Sequence, residues 1–228
     1  MKVTVSLTRN EERTEKQPYG YLSIYLNDEF YLNSFQIRKN LKNENFFVST
    51  PGKYFVNKEG VEKNKQIIEV SKAFKGVSDK ILDAYKELEA NGEKTTKISL
   101  GDENKPIEFS AKTYLTNPVD IKNGQIIGKA KISVNDMFTI NDVSVIRDKE
   151  QNIQILYPSY EKTNAEGVKE YKNFCNPITA ECREKVLGAI KDSVVKAEEW
   201  QKNHQKENAQ TQAQSQGQAQ TEAQIPLM

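Results

Sequence analysis

Apolar and polar residues alternate along two separate stretches of the chain. Leu22, Ile24 and Leu26 alternate with Tyr21, Ser23 and Tyr25, and Ile132 and Val134 alternate with Lys131 and Ser133. A period of two is the pattern of a strand with one buried face. Each stretch runs into an Asn-Asp pair and resumes with Phe30 and Leu32, or with Phe138 and Ile140. For these to regain the face of Leu26 or Val134, an odd number of residues must separate the strands. A three-residue hairpin loop fits, Asn27-Asp28-Glu29 and Asn135-Asp136-Met137. Such a loop usually carries a left-handed Gly at its third position, where this chain has Glu29 and Met137. The apolar phase then slips, to Phe35 and Ile37 and to Val143 and Val145, which predicts a one-residue bulge near Asn33-Ser34 and near Asn141-Asp142. A third strand is predicted at residues 45–49 and 153–157, ended by Pro51 and Pro158. Val77, Ile81, Tyr85 and Leu88, and then Val186, Ile190, Val194 and Ala197, have helical spacing. Ser78 and Thr179 are the expected caps, and Gly92 the expected stop of the first helix.

The two stretches also read alike residue by residue. "YLNDEFYLN" and "SVNDMFTIN" place Asn27 and Asn135, Asp28 and Asp136, Phe30 and Phe138, and Asn33 and Asn141 each 108 positions apart. Gly20 and Gly128 keep that offset. Pro51 and Pro158, and Gly60-Val61 and Gly167-Val168, stand 107 apart, and "KILDAYK" and "KVLGAIK" 105 apart. Small drifts of offset are what loop insertions and deletions produce, so the sequence reads as a tandem duplication. The expected organisation is a first unit at 1–92, a linker at 93–105 with its own short strand near 97–100, a second unit at 106–200, and a Gln-rich tail at 201–228. The tail is poor in bulky apolar residues, and disorder is expected there.

Composition narrows the function. The chain has 228 residues, 36% hydrophobic and 29% charged, with 33 Lys and Arg against 32 Asp and Glu and a net charge of +1. That balance leaves no global footprint for nucleic acid, so any such site must be a local patch. No apolar run is long enough to cross a membrane as a helix, and the opening residues lack the apolar core of a signal peptide. A cytoplasmic location is expected. Cys175, Cys182 and His204 form no metal-ligand set, and no phosphate-binding Gly-rich loop is present. Neither a cofactor nor catalysis is expected; Asp28 and Asp136 read as turn residues, since Asp bonds its own backbone there.

The order of motifs "VNDMF", "VSVIRD", "YPSYEKT", "EGVKEYKNFCNPI" and "TAECREKV" resembles the SpoVG family, the septation regulators also known as stage V sporulation protein G. The likeness spans Gly128 to Ile190. The first copy echoes it more distantly in "LNDEF", "FQIRK", "STPGKY" and "SDKIL". The resemblance implies an α+β fold: two SpoVG-like units, each an antiparallel sheet with a C-terminal helix, forming a pseudo-dimer within one chain. It also implies DNA or RNA as partner, with division proteins as a further class, and a role in gene regulation and in control of septation or sporulation.

In that family the basic loop after the Pro-Ser phrase and the nearby helix are implicated in DNA contact. Carried over, they point to Lys162, Lys169, Lys172, Arg183 and Lys185 in the second copy, and to Lys53, Lys58, Lys63 and Lys65, with Lys72 and Lys75 beyond, in the first. The family's adjacent basic pair is here Tyr160-Glu161, and its loop histidine is Asn176. Interspersed Lys and Glu more often form a solvated face, so a septation interaction module without nucleic-acid affinity is the competing reading. Tyr54, Phe55, Tyr157, Tyr160 and Tyr171 are candidate stacking residues. Arg38 and Arg147 lie at matching places, where a structural ion pair is an equal explanation.

Overall fold

A computed structural model describes residues 1–164 and 166–222, with side chains through His204. Both hairpins form as the alternation predicts. Strand β2 (Gly20–Leu26) turns into β3 (Phe30–Lys39), and β10 (Gly124–Val134) into β11 (Phe138–Asp148). Each loop has three residues, with Leu26 facing Phe30 and Val134 facing Phe138. The left-handed residues are not the third ones. They are Asn27 (φ 47°) and Asp28 (φ 56°), and Asn135 (φ 47°) and Asp136 (φ 51°). Asn and Asp are the side chains that best tolerate this region, so Glu29 and Met137 avoid the strain a Gly would have relieved. Each Asn also ties its hairpin to the strand before it. Asn27 Oδ1 accepts from the Lys2 amide at 2.7 Å, and Asn135 Oδ1 from the Glu108 amide at 3.2 Å.

The bulges fall where the phase slip puts them. Asn33 and Ser34 stand against Ser23 alone, and Asn141 and Asp142 against Lys131 alone. Ser34 (φ 68°) and Asp142 (φ 64°) are left-handed. Phe35, Ile37, Val143 and Val145 thereby return to the core, each fully buried.

Two sheets result. The first is completed by β1 (Lys2–Arg9), β4 (Phe46–Ser49) and β8 (Thr95–Gly101). The second is completed by β9 (Phe109–Ile121) and β12 (Ile153–Leu156). The short strand expected within residues 93–105 forms as β8 and becomes an edge of the first sheet, pairing with β1 from Lys2–Gly101 to Thr8–Thr95. Two short strands change sides. β7 (Ile68–Val70) pairs with β11 of the second sheet, and β15 (Cys175–Pro177) pairs with β3 of the first. The exchange is matched in detail. Asn33 N donates to Phe174 O and Asn141 N to Ile67 O, both at 2.8 Å. The expected unit boundary at 92/106 is thus crossed in both directions.

Beside each exchanged strand stands a two-stranded ribbon. One is β5 (Gly52–Val56) with β6 (Glu62–Gln66); the other is β13 (Ser159–Thr163) with β14 (Lys169–Asn173).

Helix α1 (Lys75–Ala90) buries Ile81, Ala84, Tyr85 and Leu88. It starts three residues before Ser78, which is therefore interior and not a cap. A 3-10 turn (Lys72–Phe74) leads in, and the Ser71 side chain accepts from the Ala73 amide. At the other end Gly92 (φ 67°) makes the expected stop: the Glu93 amide reaches Leu88 O at 3.0 Å, as in a Schellman motif. Helix α2 (Ala180–Glu222) is capped by Thr179, whose Oγ1 accepts from the Cys182 amide at 3.1 Å. Its backbone continues to Glu222, where composition predicted disorder from Gln201. Ala, Gln and Glu are all good helix formers, which accounts for the difference. Residues 223–228 of the expected tail lie outside the described residues.

One core serves both sheets. Phe35 packs against Phe138 (ring centroids 6.4 Å apart), Phe30 against Phe109 (5.3 Å) and Phe74 against Phe138 (5.3 Å). The inward phases of the strands and both helices converge on it.

Candidate nucleic-acid interface

The sequence-predicted basic residues separate into three places. Lys53, Lys58, Lys63 and Lys65 lie on the β5–β6 ribbon and its turn, with Lys53 opposite Lys65 and Lys63 opposite Phe55. Lys162, Lys169 and Lys172 lie on β13–β14, with Lys172 opposite Tyr160. Arg183 and Lys185 sit in the first turns of α2. Several are already engaged by acids of the chain. Lys65 pairs with Asp142 (3.0 Å), Lys169 with Glu161 (2.9 Å), Lys172 with Glu170 (3.7 Å) and Lys185 with Glu181 (2.8 Å). Among the described residues Lys53, Lys58, Lys63, Lys162 and Arg183 make no ion pair. Exposed pairs contribute only about 0–1 kcal/mol, so a phosphate could displace most of these contacts.

The ribbons matter more for what they enclose. Each sheet turns its apolar phase to the core and its polar phase outward. The outward phase of the first sheet carries Ser6, Thr8, Tyr21, Ser23, Tyr31 and Asn33. Above it opens a cleft of about 920 Å³. Its walls come from both ribbons, through Gly52, Tyr54 and Asn64 on one side and Tyr160, Lys162 and Lys172 on the other. The floor is a chain of polar contacts. The Tyr31 and Ser23 hydroxyls lie 3.2 Å apart, Ser23 donates to Asn33 Oδ1 at 3.1 Å, and Asn33 Nδ2 donates to the Tyr160 hydroxyl at 3.2 Å. Burial, ahead of any neighbouring group, raises the Tyr31 phenol above its ordinary value, so it stays neutral. Arg38, donating to Gln36 at 2.8 Å, adds a third cation to Lys162 and Lys172. Its counterpart Arg147 instead pairs with Glu198. The ion-pair explanation therefore holds for Arg147, and Arg38 lines the cleft.

The matching place on the second sheet is smaller, about 260 Å³, lined by Lys65, Tyr114, Lys129, Lys131, Asn141 and Asp142 among others. Asp142 stands where the first half has Ser34, and it pairs with both Lys65 (3.0 Å) and Lys129 (3.5 Å). Burial alone would raise its carboxyl. The hydrogen bond from Lys65 and the charge of Lys129 outweigh burial and hold it below the usual aspartate value. Asn141 donates to Glu69 at 2.8 Å.

Of the stacking candidates, Tyr54 (71% exposed), Phe55 and Tyr171 are open to solvent, whereas Tyr157 and Tyr160 pack against the core. Sequence reasoning missed Tyr21, Tyr31, Lys129 and Lys131 as site residues. Their signal was present, since Tyr21 and Lys131 are the polar phase of the strands predicted from alternation. Nothing along the chain told that ribbons would wall those faces. Both cysteines are free and buried, and burial pushes the Cys182 thiol up to about 11 and Cys175 higher still, so neither is a ready thiolate. Among the described residues no group of three or more His, Cys, Asp or Glu side chains could hold a metal ion, and no helix is long and apolar enough to cross a membrane.

Comparison with curated proteins and with solved structures gives no match. Residues 115–196, from within β9 through β15 and into α2, match the family model of SpoVG.

Proposed function

We propose that this chain is a non-catalytic, nucleic-acid-binding regulator of the SpoVG type, acting in the cytoplasm in gene regulation and in control of septation or sporulation. The observation that carries this reading is the SpoVG match over residues 115–196. The first half, though unmatched, repeats the second in hairpin loop, bulge and exchanged strand. Those coincidences support two SpoVG-like units joined as an intrachain pseudo-dimer. Lysines of the paired ribbons would neutralise phosphates and position the strand, while sequence preference would come from few side chains.

A second reading has its own support. Lys65, Lys169, Lys172 and Lys185 are held by acids of the same chain, as befits a solvated face on a protein-interaction module of the division machinery. Fluorescence anisotropy with labelled duplex DNA, single-stranded DNA and RNA over a salt series separates the two. The proposal expects binding that weakens steeply with salt, because the slope counts the phosphates neutralised. Replacing Lys53, Lys58, Lys63 and Lys65 together by Glu should weaken it strongly. No binding to any nucleic acid at low salt would leave the interaction module as the better reading.

A further inference from the structure

We propose that the chain has one principal binding site, the cleft over the first sheet, and that its ligand is single-stranded RNA. The inference rests on the nucleic-acid reading above and narrows it to a place and a ligand.

Three observations carry it. The first is charge. Among the described residues no Asp or Glu lines this cleft, although 32 acids are spread through the chain, while Arg38, Lys162 and Lys172 do, Lys172 through a 3.7 Å pair with the half-exposed Glu170 outside the lining that a phosphate can displace. An acid-free wall with three cations complements a phosphodiester backbone. The second is aromatic surface. Tyr21 is 45% exposed and Tyr54 71% exposed, both on the cleft lining, so open ring faces stand beside the cations. Aromatic faces next to a basic groove hold unstacked bases. A duplex keeps its base faces stacked inside and cannot use them. The third is the hydroxyl and amide lining. Ser6, Thr8, Ser49, Thr50 and Asn64 offer donors and acceptors for the ribose 2′-hydroxyl, the group that tells RNA from DNA.

The corresponding cleft on the second sheet lacks these properties. Asp142 replaces Ser34 and occupies Lys65 and Lys129. Glu69 holds the position corresponding to Asn176 and takes the Asn141 amide. A phosphate entering there meets two carboxylates. Two units of one design would be expected to bind twice; the exchanged acids leave one site per chain.

The test uses the full chain and a short fluorescein-labelled oligouridylate, with the oligothymidylate of equal length and a mixed-sequence duplex as comparators. The cleft variants are Tyr54→Ala and Lys162→Glu, both at exposed ribbon positions, with circular dichroism to check folding. The control variant is Lys80→Glu, at an exposed position of α1 outside the cleft lining. Oligouridylate should bind with one-to-one stoichiometry and more tightly than either comparator. Tyr54→Ala should weaken it about fivefold or more, and Lys162→Glu should lower the salt slope by about 0.7 or more. The control should change it little. Oligothymidylate binding as tightly overturns the assignment to RNA, and tighter duplex binding overturns the single-stranded assignment. Cleft variants that bind as tightly as the unsubstituted chain overturn the cleft and leave the nucleic-acid reading standing. No binding to any of the three probes defeats that reading itself.

Discussion

The two clefts are built on one plan and differ in a few side chains. Both lie on the polar face of a twin hairpin, at a bulge whose left-handed residue is Ser34 in one and Asp142 in the other. In the first, Ser34 leaves a wide opening and Asn33 bonds to Tyr160 of the ribbon. In the second, Asp142 draws in Lys65 and Lys129, and the space falls to about 260 Å³. A bulge frees one position from the ladder. What stands there decides whether the neighbouring cations face a ligand or face the chain itself.

The largest effect belongs to the core the halves share. Phe138 of the second half packs against Phe35 and Phe74 of the first. Phe138→Ala should cost about 3–5 kcal/mol and should shift one common unfolding transition in a denaturant titration followed by fluorescence and circular dichroism. Separate transitions for the two sheets would break the picture of a single core.

Exchanging the bulge residues tests the comparison directly. Asp142→Asn keeps a side chain suited to the left-handed backbone and releases Lys65 and Lys129. Nucleic-acid affinity should rise several-fold, with a salt slope steeper by about 1. Ser34→Asp should do the reverse at the first cleft, and the anisotropy assay reads both.

The caps offer a smaller contrast. Thr179→Ala removes the bond to the Cys182 amide and should cost about 1 kcal/mol. Ser78→Ala, inside α1, should fall within about 0.5 kcal/mol of neutral, and thermal melts of the two variants measure the difference.

The smallest effect is one of pH. Asp142 is held below its ordinary value of 3.8 in the folded chain. Its contribution to stability is therefore present above that value and lost as pH falls through the lower folded value. Asp142→Asn should lower the melting temperature slightly at neutral pH and not at pH values below the folded one. An equal shift at both would mean that the ion pairs add nothing.

Most local structure was legible because it is set by neighbours along the chain. The period of two placed β2 and β10, the phase slip placed both bulges, and the Asn-Asp pairs marked both loops. The loop geometry differed in one respect: left-handed backbone settled on Asn and Asp, the residues that tolerate it, and not on the third residue. Ser78 was misread because helical spacing locates a buried face better than a helix start, and the 3-10 turn before it has no periodic signature.

What the sequence determined by itself is therefore the phase of the twin-hairpin strands, the stop at Gly92, the cap at Thr179 and the twofold recurrence of the hairpin pattern. Only the tertiary structure decided that β7 and β15 cross to the opposite sheets, that the strand expected near residues 97–100 becomes an edge of the first sheet, and that two ribbons wall one polar face into a cleft. The reason is range. Alternation and capping act over a few residues, whereas Asn33 meets Phe174 and Tyr160, and Asp142 meets Lys65, only after the chain has folded across its full length. The charge count could not distinguish an acid beside a lysine in sequence from one beside it in space, and that distinction separates the open cleft from the closed one.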